Sequence, residues 1–349
     1  MKSNFKWIRP AWILSLLLSL SLVLSACGGG ESKPTGAGEE TKPVKVKLQL
    51  KWLPQTQFAG YFVALEKGYY REEGLDVEIL PGGPDIVPEQ QVANGTAHIG
   101  NSWVASLLSH QEEGFPLVEI AQISQRSGLV LVSKKSAGIN RPEDLKGKKI
   151  GSWMGGLEFE ILALLDKYGI DADSDVKLTK QGFTMDQFFN DQLDTASALT
   201  HNEFPLVLSQ GIPESDLNVI DMNDEGVAML QDNLFANTEW LENNRDAAVK
   251  FLRASIRGWA DAIENPEAAV DIVMKSVDEG STTREHQLSM MKAIGELILP
   301  KGTDPSQIGR IDPALFKQTA DIAYQFGVIK EEADLSKAYT TEIWDSAAK

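Results

Sequence analysis

Residues 48–77, LQLKWLPQTQFAGYFVALEKGYYREEGLDV, change their period twice. Apolar and polar residues alternate from Val44 to Leu50, which predicts a strand. The loop WLPQTQF follows, and its Pro54 cannot continue a ladder. From Gly60 the spacing is helical, with Tyr61, Ala64, Leu65 and Gly68 on one repeat and Gly74 placed as a stop. A second alternating strand starts at Asp76. Strand, loop, helix, strand is the opening of a parallel α/β sheet. Ligands of such sheets sit outside the carboxyl ends of the strands. The loop after the first strand therefore offers Trp52 as an aromatic platform, Gln55 and Gln57 as hydrogen-bonding amides, and Tyr61 on the following helix. Trp52 reads equally well as a core residue.

Working outward, the rest of the chain repeats this pattern. Gly82 and Gly83 permit a tight turn after the strand at 77–80, and Pro84 or Asp85 starts a helix that runs to about Asn94. AHIG at 97–100 is a short buried strand. Asn101, Ser102 and Trp103 follow at its carboxyl end and open a helix that lasts to Gly114. Residues 117–124 and 128–133 are apolar strands. Another strand ends at Trp153, and Gly155 and Gly156 then let backbone amides approach a ligand at a helix N-terminus. Glu158 and Glu160 stand at that helix start as ligand contacts or as plain first-turn acids. The strand at 194–199 leads into Thr200, His201, Asn202 and Glu203, of which Asn202 and Glu203 are the candidates for the cleft. Residues 217–221 form the strand leading back toward the first domain. Beyond it, 247–262, 282–297 and 313–326 are amphipathic helices.

The 349 residues suffice for one large or two ordinary domains. A net charge of −17 makes nucleic acid an unsuitable partner. Lys2, Lys6 and Arg9 precede an apolar run at 11–26 that is too short for a typical membrane span and reads as a signal segment. The one cysteine of the chain, Cys27, follows Leu24-Ser25-Ala26 directly. Internal disulfides are thereby excluded. Residues 28–43, GGGESKPTGAGEETKP, have the composition of a flexible tether.

Phosphate-loop, H-E-x-x-H, paired-cysteine and G-x-S-x-G motifs do not occur, so neither a metal nor a cofactor is expected. Trp52, Trp103 and Trp153 all fall just after strand ends, and three such planes suit a flat ring held between two halves. Near them the polar groups are Gln, Asn, Ser and Glu, with Lys51 the one cation. Sulfonates, nitrate and phosphates want guanidinium or a helix-end amide nest, so this set favours a neutral or weakly basic heterocycle.

WLP, EKGYY and REEGLDV in this order resemble the opening of the thiamine-pyrimidine and sulfonate-type substrate-binding proteins of ABC importers, GINRPEDLKGKKI resembles their link into a second domain, and GVAMLQDNLFAN at 226–237 resembles their strand that rejoins the first sheet. The resemblance covers about 46–345. It implies an α/β type II periplasmic-binding-protein fold: two doubly wound lobes, a hinge and a ligand cleft between them. Lobe 1 is then 44–133 with 224–349, and lobe 2 is 134–223. LSAC resembles the bacterial lipoprotein signal, which implies removal of 1–26, lipidation of Cys27, a tether at 27–43 and a place on the extracytoplasmic face of a cell membrane. The implied partners are a small-molecule ligand, a permease and its ATPase.

KW-x-P-Q-x-QFAGY, GGPDIVPEQ, GGLEFE and RASIRGW are similar to the branch that binds riboflavin. The branch that binds formylaminopyrimidine, a thiamine precursor, usually has Asp-Trp and a histidine in the first loop, where this chain has Lys51-Trp52 and Gln57. Eukaryotic members make thiamine pyrimidine with a lysine-held pyridoxal phosphate and a Cys-rich iron motif. Here Ser102 and Ser106 match their lysine and histidine, and no cysteine lies near 226–236. A serine forms no Schiff base, so the expectation is a binding protein and not an enzyme. A surface lipoprotein or sensor subunit without a transport role fits the same sequence.

Overall fold

The structure, a computed structural model, describes residues 42–349 apart from 155 and 183. Cys27, the signal segment, Gly155 and nearly all of the tether lie outside the described residues. Ten strands form two five-stranded sheets with helices on both faces, an α/β architecture of two lobes. The first sheet is built from β1 (Val44–Gln49), β2 (Leu75–Leu80), β3 (Ile99–Ser102), β4 (Leu117–Gln122) and β10 (Asn233–Asn237). Its order is β2-β1-β3-β10-β4, with β10 antiparallel to both neighbours. β5 (Leu129–Lys134), β6 (Lys149–Ser152), β7 (Lys177–Lys180), β8 (Thr195–Leu199) and β9 (Leu217–Asp221) make the second, in the order β7-β6-β8-β5-β9.

One strand falls on the other side of the lobe boundary from its expected place. β5, expected to close lobe 1, pairs with β8 and β9 of the second sheet. β9 stays in the second sheet, inside the expected 134–223, and the chain leaves that sheet after it. The reason lies in the side chains. Leu129 and Leu131 join one core while Val130 and Val132 join another on the opposite face. A strand covered on both faces reads as an unbroken apolar run, and that run does not say which sheet it enters. The chain crosses between the lobes at 123–128 and again at 222–232.

Nine helices carry labels here: α1 (Ala59–Glu66), α2 (Pro88–Ala93), α3 (Val104–Glu112), α4 (Glu158–Lys167), α5 (Glu203–Ser209), α6 (Arg245–Glu264), α7 (Pro266–Val273), α8 (Arg284–Ile298) and α9 (Pro313–Gln325). α1 and α6 cross at two glycines. A Cβ on Gly258 would lie 2.1 Å from the Gly60 carbonyl oxygen, and one on Gly60 would lie 2.2 Å from the Trp259 ring. Small residues here let two backbones touch and hold α1 against the sheet. α9 departs from the expected lobe 1: Phe316 and Ala323 share a core with Val104 and Leu108 of α3 and with Ile161 and Leu164 of α4. It spans both lobes behind the crossovers. Among the described residues no helix is long and apolar enough to cross a membrane.

Candidate functional site

The carboxyl ends of β1 and β3 in one lobe face those of β6 and β8 in the other. The loop after β1 is fastened first. Gly82 donates its amide to the Trp52 carbonyl at 2.9 Å. A Cβ on Gly82 would stand 2.3 Å from the Leu50 oxygen, so only glycine fits this approach. On its far side Thr56 donates its amide to Gln287 Oε1 at 2.7 Å and its hydroxyl to the Gln287 carbonyl at 2.8 Å. Between these anchors, Gln55 donates to Gln57 Oε1 at 2.7 Å, and Gln57 Nε2 donates to the two Asp232 oxygens at 3.0 and 2.9 Å. Asp232 lies in the second crossover with φ +46°, a left-handed conformation that a non-glycine residue adopts at a cost.

At the end of β3, Ser102 donates to Glu89 Oε1 at 2.5 Å. Asn101 donates to the Asn233 carbonyl at 2.9 Å, and Asn233 Nδ2 donates to Glu119 at 2.7 Å. Glu89, Ser102, Asn101, Asn233 and Glu119 are all buried, so this is a polar network inside the sheet. Trp103 comes next, half-buried, with the Lys51 Nζ 3.0 Å from the centroid of its ring.

Burial dominates the electrostatics. It pulls the Lys51 amine down to about 7, against the opposing pull of the Asp232 and Glu89 carboxylates. Burial pushes Asp232 up, while Lys51 and Gln57 hold it down. From the second lobe, His201 is pulled down to about 3 by burial, then by Lys51 and His286, so its imidazole is neutral.

The wall formed by lobe 2 starts at Ser152. Trp153 is half-buried and donates its indole N–H to the Gly182 carbonyl at 2.9 Å. Gly156, at φ +149°, gives its amide to Glu158 Oε2 at 2.6 Å, and a Cβ there would lie 3.0 Å from the Trp103 ring. The two lobes therefore meet at Trp103. They meet again where His286 Nε2 lies 2.9 Å from Asn202 Oδ1. Ser152 Oγ, Thr200 Oγ1 and His201 Nδ1 are buried without a hydrogen-bond partner, at the carboxyl ends of the neighbouring strands β6 and β8.

Not every expected residue lines this space. Trp52, Gln55, Gln57, Ser102, Trp103, Trp153, Gly156, Glu158 and Asn202 gather at the facing strand ends. Tyr61 is buried in the lobe 1 core, its ring edge-on to Trp259 at 5.5 Å, because the first turn of α1 points into the sheet. Asp85 is exposed on the turn before α2. Asn101 lies within β3 rather than after it, and its amide is used by β10. Glu203 turns back to accept the Leu199 amide at 3.0 Å, a local turn bond. Glu160 reaches the crossovers: Ser127 Oγ donates to it at 3.0 Å and Gln231 at 3.4 Å, and burial pushes its carboxyl up to about 8.

Lys51, Glu89, Asp232, Ser152, Thr200 and His201 were not among the expected site residues. Glu89 follows Pro88 and looks like an ordinary helix-start acid. Asp232 sits between strand signals, in LQDNLF, where it stands between two other polar residues and nothing local marks it. Among the described residues no group of three or more His, Cys, Asp or Glu could hold a metal ion.

Comparison with known proteins agrees with this geometry. The riboflavin-binding protein RibY of Chloroflexus aurantiacus is 26% identical over 95% of this chain and 97% of its own. The formylaminopyrimidine-binding protein of Halalkalibacterium halodurans is 25% identical over 77% of this chain and 80% of its own. Synthases of 4-amino-5-hydroxymethyl-2-methylpyrimidine phosphate match more weakly. The crystal structure of the periplasmic aliphatic sulphonate binding protein SsuA from Escherichia coli superposes with a TM-score of 0.66, at 16% identity over 86% of this chain and 93% of that one. That is the periplasmic-binding-protein fold. The relatives matched along most of the chain are binding proteins, and the chain is of that substrate-binding type. Residues 55–269 match the NMT1/THI5-like family, and the chain belongs to it.

Proposed function

We propose that this protein binds riboflavin in the cleft between its lobes and hands it to the permease of an ABC importer. The observation that carries this reading is the half-buried ring of Trp103, set at the point where the lobes meet and backed by a buried polar floor. A planar ring system gains most from a rigid aromatic face, and Trp52 and Trp153 add two more at the neighbouring strand ends. The edge of an isoalloxazine carries both donors and acceptors. Gln57, Asp232, Ser152, Thr200 and His201 supply complements to both without a guanidinium clamp. The similarity to RibY along nearly the whole chain supports the same ligand.

Binding without bond-making fits a hinge. The crossovers at 123–128 and 222–232 join the lobes, and a ligand that touches both lobes favours the closed form. Lipidation of Cys27, with residues 28–43 as tether, would hold the folded part at the outer membrane face, next to the permease.

Formylaminopyrimidine is the second reading, favoured by the Halalkalibacterium halodurans relative. Its single ring covers less of three tryptophans. The test is to unfold and refold residues 28–349 to strip carried ligand, then to titrate riboflavin and follow flavin fluorescence. Stacking on Trp103 quenches the flavin, and Trp103→Ala is expected to weaken binding about tenfold or more and remove most of the quenching. Unchanged flavin emission in the refolded protein, with heat released on adding formylaminopyrimidine, would replace the first reading by the second.

A further inference from the structure

The Trp103 face is not open. Lys51 Nζ lies 3.0 Å from the ring centroid, well inside the reach of about 6 Å over which an ammonium binds an indole. No second ring stacks on that face while the amine is there. We infer that the Lys51 side chain fills the ring seat of the empty cleft, so that a planar ligand enters by displacing a group of the protein itself. This rests on the reading of the cleft as a seat for a flat heterocycle.

Four elements define where the amine sits and where it goes. Lys51 follows β1, Asp232 faces it from the second crossover, Glu89 from α2, and His201 from the loop after β8. Both carboxylates are held by other partners, Asp232 by Gln57 and Glu89 by Ser102, so their positions do not depend on the amine. An amine leaving Trp103 therefore moves toward carboxyl groups that are already held in place, which keeps displacement within reach of a ligand's binding energy. His201 carries no charge to oppose this movement, because burial keeps it neutral.

The arrangement also selects. A desolvated ammonium on an indole is a strong competitor, so only a ring that stacks better than the amine takes the seat. Small apolar solutes do not. The ligand-free protein keeps its apolar face covered.

The test follows the indole N–H resonance of Trp103, assigned by its loss in Trp103→Phe, in the refolded empty protein between pH 5.5 and 8.5. With Lys51 on the ring the resonance shifts with a midpoint near 7. The shift is absent in Lys51→Met, and saturating riboflavin abolishes it in the wild type. Lys51→Met, whose thioether is a weaker occupant, is expected to bind riboflavin about tenfold more tightly. A Trp103 resonance that ignores pH in the wild type overturns the inference. So does riboflavin binding that leaves the titration in place, or a Lys51→Met variant that folds and binds no more tightly. Absence of riboflavin binding would remove the ligand assignment instead. The free-protein titration still decides whether the amine sits on the ring, and displacement is then read with formylaminopyrimidine.

Discussion

Glu160 shows how much of this site is decided by one side chain. It lies in the first turn of α4, yet its carboxyl is buried against Ser127 and Gln231, one from each crossover. Burial raises it to about 8 from an ordinary 4.5, so the folded protein holds a proton there that the unfolded chain gives up at much lower pH. The resulting stability is complete below pH 4.5 and is lost progressively as the pH rises to about 8. Glu160→Gln copies the protonated form. Its melting temperature is expected to match the wild type near pH 5 and to exceed it at pH 8, as scanning calorimetry at the two pH values would show. A wild-type advantage at pH 8 would mean that the charged form is the one the crossovers hold. Glu119, raised by burial to about 8 as well, adds a second contribution of the same sign. Nothing in the sequence separates Glu160 from Glu158, two residues earlier on the same helix turn. The difference is which of the two the crossovers cover.

At the scale of elements, the crossing of α1 and α6 depends on Gly60 and Gly258. An alanine at 258 would put a methyl 2.1 Å from a backbone oxygen that cannot rotate away. Gly258→Ala is expected to cost about 2–3 kcal/mol and to lower the melting temperature by roughly 5–10 °C. An unchanged melting temperature would show that α6 can slide on α1. The strand–loop–helix–strand opening and the glycine stops are legible in the sequence, because period and glycine placement are local signals, whereas the strand that rejoins the first sheet is legible only through the family resemblance. The sheet to which β5 belongs is not local. Leu129 to Val132 are apolar throughout, and their partners lie 60 to 90 residues away, at Leu199 and Asp221. The site divides the same way. Tryptophans after strand ends announce themselves, whereas Asp232 and Glu89 matter only because Lys51 is folded between them.

For the whole molecule, the contact between His286 and Asn202 joins the lobes. Asn202→Ala removes this hydrogen bond between the lobes, which is worth about 1 kcal/mol or roughly fivefold in affinity. Calorimetry should find that loss, and small-angle scattering should find a larger radius of gyration for the empty variant than for the empty wild type. Equal radii and equal affinities would place the closing contacts elsewhere, at Trp103 and Gly156. The order of strands carries a different consequence, one for the birth of the chain. The second sheet is drawn from a single uninterrupted stretch, 129–221, while the first keeps a gap between β3 and β4 that only β10 fills. As the chain leaves the ribosome, all four earlier strands of the first sheet emerge before β10, and two of them wait with unpaired edges. The half of the protein that is made first is thus the half whose sheet closes last, and until residue 237 has emerged β4 has no place beside β3.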